Sequence, residues 1–351
     1  DPLYVGHPGG MGDRGANLIL QSADVLLSIG SRLDTSLTAF NESHFGMSAR
    51  KIVIDIDPHE LRRMKLEQVE VMKACDAGEF IRTLYAAADK NVEIQNQSAV
   101  WKEWNAYGHM LRERYPSVTE IHKNVEGVVS AYYFIDLLCR HTTPEDVIVP
   151  ESSGAAGEIT YQAFRPKRGQ KMKNAAGLGS MGFGLPYSIG ACLANGGRRT
   201  SLINGDGAFQ MNIQELETLV RLNLPVKIFI WNNEGYASIR SMQNNNFGGF
   251  HVASGKHSGL TMPDTVKVAE AYGLRTFRIF SNRQLEEEIG KVLDTEGPVL
   301  CELIISPEET VSPRTKTIVH EDGTLESYPL EKMWPIVEEA AGMSSGAVNG
   351  S

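Results

Sequence analysis

Cysteine is scarce in this sequence, whose 351 residues include four, at positions 75, 139, 192 and 301. They lie far apart, and none belongs to the Cys-x-x-Cys pairs that are typical of structural zinc sites. The spacing argues against both a zinc site and a disulfide framework. It indicates a reducing, cytoplasmic location.

Positive charge is also in the minority, with 34 Lys and Arg against 43 Asp and Glu and a formal net charge of -9. The chain has no basic run, so nucleic acid is not an expected partner, because phosphate contacts require clustered Lys and Arg. An acidic chain can still hold a phosphorylated cofactor, since a bound metal ion changes the local field.

Long apolar runs are missing as well. None reaches the roughly 20 residues that cross a bilayer, so no membrane partner is expected. The sequence begins at Asp1 with neither an initiator Met nor the charged segment of a signal peptide. We therefore expect that an upstream part of the protein precedes it.

What the sequence does contain is an alternation of short apolar runs with helix-like segments. Strands are predicted at 25–29, 51–56, 147–149, 201–204, 226–231 and 299–305. Helices are predicted at 16–23, 131–140, 184–194, 212–223, 265–272 and 283–294. Continuous apolar strands between helices predict an α/β fold of two doubly wound, mostly parallel sheets.

Changes in composition along the chain predict the domain organisation. A first domain spans 1–88 and a second 125–335, while 336–351 is a small, polar tail. Between the domains, 89–124 is interpreted as a linker and a lead-in helix. That helix places Trp101, Trp104, Tyr107 and Leu111 on one face.

Polar side chains follow two of the predicted strands. The strand at 201–204 stops at Asn204-Gly205-Asp206-Gly207, and the strand at 226–231 stops at Asn232-Asn233-Glu234-Gly235. One crossover helix separates them, so both ends emerge at the same edge of the sheet, where α/β folds bind ligands. We expect Asp206 and Asn233 to converge there.

These residue types suit Mg²⁺, which prefers few protein oxygens and completes its shell with phosphate and water. Asp206 offers a carboxylate, Asn233 an amide oxygen and Gly235 a backbone carbonyl. Glycines beside Asp206 would let backbone N–H groups approach a diphosphate, and the following helix would add a partial positive charge. The alternative is that Asp206 and Asn233 only close turns.

The pair Gly205-Asp206-Gly207 and Asn232-Asn233, with 24 residues between, resembles the fingerprint of thiamine-diphosphate (ThDP) enzymes. The segment 177–186, Gly-Leu-Gly-Ser-Met-Gly-Phe-Gly-Leu-Pro, resembles the stretch before that fingerprint in acetolactate synthases and related 2-oxo acid decarboxylases. Residues 1–85 resemble the middle domain of that family, and 125–310 resemble its diphosphate-binding domain.

The resemblance implies ThDP and Mg²⁺ as cofactors, with Asp206, Asn233 and the Gly235 carbonyl as metal ligands. Met181 would lie under the bent cofactor, and Gly207 would donate its N–H to the diphosphate. The other implied contacts are Ser152, Ser153, Gly154, Gly179, Gly205, Ala208 and Tyr236. Taken singly, Met181 could fill a core gap and the two serines could cap a helix.

The implied activity is that of an acetolactate synthase-like carboligase, which decarboxylates a 2-oxo acid such as pyruvate and passes the two-carbon unit to a carbonyl acceptor. In the family, a Glu on the N-terminal domain of another subunit activates the cofactor, which implies a homodimer or tetramer. No residue here matches that catalytic Glu, which implies little turnover by this chain alone.

This sequence also departs from acetolactate synthases, which carry Gln-His where it has Ala155-Ala156. A 2-oxo acid decarboxylase or a carboligase using a keto-sugar acceptor therefore remain alternatives. The run 243–259, with His251 and His257, is predicted to be a mobile loop over the site.

A different class of function is suggested near the N-terminus. The segment Gly10-Met11-Gly12-Asp13-Arg14-Gly15 fits G-x-G-x-x-G, with Asp34 downstream, the pattern of a dinucleotide site. The chain would then be a non-catalytic nucleotide-binding or regulatory module, or else a structural subunit. Acetolactate synthases hold a structural FAD in the matching region, with Arg32 and Asp57 at contact positions here, whereas other relatives lack flavin.

Overall fold

The computed structural model describes residues 1–91, 98–175, 177–320 and 322–337. The chain divides into two compact units. The first comprises Asp1–Pro116 together with the described residues from Ser312 onward, and the second comprises Ser117–Val311. None of the described helices is long and apolar enough to cross a membrane.

The first unit contains a parallel three-stranded sheet in the order β1-β2-β3. Its strands are β1 (Val25–Ile29), β2 (Arg50–Asp55) and β3 (Val69–Ala74). Its helices are α1 (Arg14–Gln21), α2 (Pro58–Arg63), α3 (Ala77–Ala88) and α4 (Ser98–Arg114). Phe45, Val53 and Leu61 pack in its core.

Helix α4 packs against α1 within this unit. Two glycines allow the close approach, since a Cβ at Gly108 would lie 2.6 Å from the Ile19 side chain and one at Gly15 would lie 2.8 Å from the Leu111 carbonyl. The predicted lead-in helix of the second domain therefore belongs to the first unit. Leu111 is buried there, whereas Trp101 and Trp104 are exposed.

The segment after Ser312 also belongs to the first unit, although it was predicted to end the second domain. Arg14 explains this, because its guanidinium donates to the carbonyls of Met333 at 3.2 Å and Pro335 at 2.6 Å. The segment carries an antiparallel hairpin, whose strands are Thr317–Val319 and Leu325–Ser327. Most of the predicted tail, 338–351, lies outside the described residues.

The second unit is built on a six-stranded parallel sheet in the order β5-β4-β6-β7-β9-β8. The strands are β4 (Val147–Pro150), β5 (Lys171–Met172), β6 (Thr200–Gly205), β7 (Val226–Asn232), β8 (Arg275–Ile279) and β9 (Val299–Ile304). The helices are α5 (Glu120–Lys123), α6 (Ala131–His141), α7 (Ala155–Ala163), α8 (Gly184–Ala194), α9 (Asp206–Phe209), α10 (Glu215–Arg221), α11 (Ala237–Asn246), α12 (Thr265–Ala271) and α13 (Asn282–Asp294).

Both faces of this sheet are covered. Ile203 and Phe229 pack into one apolar cluster with helices α6, α7 and α13, while Leu202 and Ile228 pack into another with α8, α10 and α12. Successive strand residues point to opposite faces, so burial on both faces requires the continuous apolar runs seen in the sequence. The prediction of an α/β fold with parallel sheets is confirmed.

The strand order creates a crevice at the carboxyl edge of the sheet. After β4 the chain forms β5 on one side, and it then returns to form β6 on the other side of β4. Such a switch point between neighbouring strands is where open α/β sheets bind ligands. The segments that follow β4 and β6 therefore face each other across the crevice.

Candidate functional site

Strands β6 and β7 bring the two polar segments to neighbouring tips. Gly205, at the end of β6, pairs in register with Trp231 of β7. The Asp206 carboxylate accepts hydrogen bonds from the N–H of Gly207 at 2.7 Å and from the N–H of Gly235 at 2.9 Å. The structure thus brings together Asp206 and the turn that carries Asn233, as the sequence predicts.

Asp206 is only 1% exposed, and this burial changes the acidity of its carboxyl group. Loss of solvation raises its pKa to about 6, although the N–H donors of Gly235 and Gly207 and the charge of Arg240 oppose the shift. A cation beside this carboxylate would favour its ionised form. The electrostatics around the Asp206 carboxylate therefore suit the binding of a metal ion.

Asn233 provides an independent indication of a metal site. Its Oδ1 atom is buried and has no hydrogen-bond partner in the part of the chain that the structure describes. Buried oxygens are nearly always bonded, so an unpaired one marks a position where a water molecule or an ion can supply the missing partner. The turn is closed instead by Asn232, whose Oδ1 accepts from the N–H of Glu234 at 3.2 Å.

The turn itself needs glycine. Gly235 has φ 122°, and a Cβ there would lie 2.8 Å from the Ser254 carbonyl. Its own carbonyl accepts from the N–H of Ala237 at 3.1 Å, which leaves one lone pair for a metal ion. Asp206, Asn233 and Gly235 together could hold Mg²⁺, because a carboxylate, an amide and a carbonyl are the hard oxygens that it prefers.

Gly207 makes contacts within the protein, and its contact with a diphosphate stays a prediction. Its N–H, expected to meet a diphosphate, donates to Asp206. A Cβ at Gly207 would overlap the Tyr236 ring, which rests on the glycine backbone. The first helix after Gly205 is α9, which includes Ala208 and is only four residues long, so the partial charge at its N-terminus is small.

The crevice has two walls: the first is formed by the segment that follows β4, and the second by the segment that follows β6. The Ser152 hydroxyl bonds to the carbonyl of Ser180, and its N–H donates to Glu151. Helix α7 is preceded by Gly154 and has no side-chain cap, so Ser152 and Ser153 do not cap it. Ser152 therefore ties the segment after β4 to the segment around Ser180.

The segment around Ser180 spans the crevice. A Cβ at Gly179 would lie 4.0 Å from Ser153, and the carbonyl of Gly182 accepts from Asn212 at 2.8 Å. Met181, between them, is 40% exposed, so it does not fill the core. The crevice thus gathers the predicted contacts from Ser152 to Gly154, Gly179 and Met181 at its first wall, and those from Gly205 to Ala208 at the second.

The sequence did not predict a role for Glu151. It is fully buried and accepts hydrogen bonds from the N–H groups of Ser152 at 2.9 Å and Gly184 at 3.1 Å. Burial raises the pKa of Glu151, and these donors oppose the shift. An acid directly after a buried strand was the available signal, and its carboxylate organises the first wall.

The run 243–259 is not a single loop, contrary to the prediction. Gln243 lies in the last turns of α11, and Ser254 is fully buried. His251 bonds to Asn244 at 2.7 Å on the surface. The segment after α11 is therefore packed into the protein near the candidate metal ligands, and it is not a loop that covers them.

The glycine-rich segment of the first unit lacks the geometry of a dinucleotide site. No strand precedes it within Asp1–Asp13, and Asp34 closes a turn by accepting from the N–H of Leu37 at 3.0 Å. Arg32 pairs with Glu60 at 3.2 Å, and Asp57 caps α2.

Comparison with known proteins gives two family matches. The model described as "Thiamine pyrophosphate enzyme, C-terminal TPP binding domain" matches residues 153–303, and the model described as "Thiamine pyrophosphate enzyme, central domain" matches residues 1–84. The first match contains both tips of the candidate metal site.

Curated relatives agree with these matches. The chain is 29% identical over 326 residues to the acetolactate synthase large subunit of Cyanidium caldarium, covering 89% of this chain and 52% of that protein. It is 30% identical to acetolactate synthase 1, chloroplastic, of Zea mays (89% and 48%) and to the probable acetolactate synthase large subunit of Methanococcus aeolicus (95% and 56%). The chain spans about half the length of these relatives.

Proposed function

We propose that this chain, which belongs to the thiamine pyrophosphate enzymes and carries their central and C-terminal TPP binding domains, provides the Mg²⁺–diphosphate half of an acetolactate synthase-like active site. The observation that carries the proposal is a buried carboxylate, Asp206, at the strand tip next to the Asn233 amide oxygen, which has no hydrogen-bond partner among the described residues.

In this proposal each wall of the crevice has its own task. Asp206, Asn233 and the Gly235 carbonyl hold Mg²⁺, and the metal ion neutralises the diphosphate beside an acidic chain. The segment from Ser152 to Gly154 meets the diphosphate from the opposite wall. The bound cofactor supplies the carbanion chemistry, and the protein orients it and excludes water.

The substrate is proposed to be a 2-oxo acid such as pyruvate, as the names of the relatives suggest, with a carbonyl compound as the acceptor. The activating carboxylate is proposed to come from the N-terminal domain of another subunit in a homodimer or tetramer. Ala155 and Ala156 begin α7 at the first wall and place no polar side chain there, so decarboxylation without an acceptor is a second candidate. Product analysis with pyruvate, with and without an aldehyde, separates the two.

The direct test is cofactor binding by this chain, measured by titration calorimetry with ThDP in the presence and absence of Mg²⁺. We expect Mg²⁺-dependent binding that Asp206→Ala abolishes. Asp34→Ala is the matched control, because Asp34 closes a turn in the other unit. ThDP binding that is indifferent to Asp206→Ala would contradict the proposal, and binding of NAD or FAD alone would favour the nucleotide-binding alternative.

A flavin on the first unit is a separate proposal. Arg32 and Asp57 follow the carboxyl ends of β1 and β2, and the Arg32 side chain is 63% exposed. The visible absorbance of the purified protein tests it. Absence of flavin after reconstitution with FAD would contradict this part without affecting the metal site.

A further inference from the structure

Arg240 lies in the first turn of α11, directly after the turn that carries Asn233. Its guanidinium donates to three backbone carbonyls: those of Asn233 at 2.5 Å, Glu234 at 3.1 Å and Ser254 at 2.8 Å. Two of these belong to the turn at the end of β7, and the third belongs to a segment that follows α11. One side chain therefore joins two pieces of backbone.

The turn at the end of β7 adopts an uncommon conformation. Glu234 has φ 62° and Gly235 has φ 122°, both in the region that side chains disfavour. Such a conformation persists where the surroundings enforce it. Here the N–H of Tyr236 donates to the Ser254 carbonyl at 3.0 Å, the same oxygen that Arg240 contacts.

The segment around Ser254 is anchored on the same helix. The Ser254 hydroxyl donates to Gln243 at 2.7 Å, and the Gln243 amide donates to the carbonyl of Val252 at 3.0 Å. The Ser258 hydroxyl accepts from the N–H groups of Ser254 and Gly255, both at 3.0 Å. Arg240 and Gln243, both on α11, thus hold this segment against the turn.

We propose that Arg240 is a positioning residue that fixes the Asn233–Gly235 turn against the Ser254 segment, so that cation binding at the turn and order in that segment are coupled. The inference rests on the proposed function for the identity of the cation. Lysine can replace it only in part, because an ammonium group is a point donor, whereas the planar guanidinium has donors directed to separate acceptors.

A coupling of this kind is reciprocal: a cation that stabilises the turn must also stabilise the segment, and a loosened segment must weaken cation binding. Groups that orient metal ligands from behind typically change metal affinity by about 10- to 100-fold when removed. We therefore expect Arg240→Met to lower Mn²⁺ affinity in the presence of ThDP by that factor, and Arg240→Lys to lower it less.

The matched control is Arg199→Lys, in the same unit but ahead of β6, at the opposite edge of the sheet. Arg199 also binds backbone and carboxylate oxygens, with bonds to the Leu293 carbonyl at 3.3 Å and to Asp146 at 2.8 Å. Its replacement should lower thermal stability and leave Mn²⁺ affinity unchanged. Circular dichroism shows whether each variant is folded.

The second measurement is amide hydrogen exchange at Tyr236 and at residues 252–258, with and without Mg²⁺ and ThDP. Cofactor should slow exchange in both places in the unaltered protein, and Arg240→Met should speed it in both, even without cofactor. Folded Arg240→Met with unchanged Mn²⁺ affinity, or with unchanged exchange, overturns the inference. If the unaltered protein binds no Mg²⁺–ThDP, the proposed function fails, and exchange without cofactor still decides whether Arg240 holds the turn and the segment together.

Discussion

The Asp206 carboxylate accepts a hydrogen bond at 2.9 Å from the backbone N–H of Gly235, 29 positions away in the sequence. This bond joins the tips of β6 and β7 within the protein itself. A metal ion arriving here would meet ligands that are already close together. Less rearrangement is then required on binding, which favours affinity.

The pH dependence of metal binding is the first prediction. Because the pKa of Asp206 is raised to about 6, protons compete with a cation below that pH. Mn²⁺ affinity should fall about tenfold for each pH unit below 6 and level off above 7, as expected for one proton. Titration calorimetry between pH 5 and 8 measures this, and a flat profile over that range would contradict it.

Thermal stability should show the matching linkage. A raised pKa means that Asp206 holds its proton more tightly in the folded protein than in the unfolded chain. The contribution of protonated Asp206 to the free energy of unfolding is therefore lost as pH rises from about 4 through 6. Added Mg²⁺ should therefore raise the melting temperature more at pH 7.5 than at pH 5.5. The difference should vanish in Asp206→Ala.

Asn232 and Asn233 form a matched pair of substitutions. Asn233→Ala removes an oxygen that has no bond among the described residues, so unfolding free energy should change by less than about 0.5 kcal/mol while Mn²⁺ binding is lost. Asn232→Ala removes a donor to the buried Glu302 carboxylate and should cost about 1–3 kcal/mol. Urea unfolding and metal titration separate the effects, and the opposite order would show that Asn233 only closes the turn.

Gly207 tests the packing of the second wall, and Gly190 in α8 is the comparison. Gly207→Ala would drive a methyl group into the Tyr236 ring and should destabilise the protein by about 1–3 kcal/mol. Gly190→Ala, in the middle of α8 with open space around it, should stabilise by about 0.5–1 kcal/mol. Denaturant unfolding of both variants checks the signs. Equal effects would mean that the ring does not rest on Gly207.

An ion pair with a buried carboxylate lies next to β7, on the side of β9. Glu302 is 1% exposed, accepts from Asn232 and pairs with the partly exposed Arg278. Arg278→Met should cost about 2–4 kcal/mol, because it leaves a buried carboxylate without its cation. Adding Glu302→Gln should recover part of that loss in a double-mutant cycle. Strictly additive losses would contradict a direct interaction.

The sequence predicted the interior of the second unit well. Strands β4, β6, β7 and β9 are buried on both faces. Strands of this kind have mostly apolar sequences, which can be recognised without a structure. The convergence of Asp206 with the Asn233 turn followed from one rule about parallel crossovers. These features depend on the local hydrophobic pattern, which a single sequence shows, and on the handedness of the crossover, which is the same in nearly all proteins.

Other features depend on contacts that a sequence does not record. Strands β3 and β8 lie at sheet edges and are largely exposed or half-buried, so they carry charged residues and no apolar run. The segment after Ser312 joins the first unit through hydrogen bonds from Arg14 to carbonyls, which every residue possesses. The role of Arg240 was hidden for the same reason.

The pairing of Gly205 with Trp231 also bears on which changes in length the protein can accept. Deleting one residue inside β7 would displace Asn233 by about 3.3 Å and turn its side chain to the other face of the sheet. An insertion at the exposed turn at 222–223, before the strand begins at Val226, would leave the ends of both strands at the same level. Gaps between homologous chains should therefore accumulate in that turn and spare the strand, however far the sequences diverge.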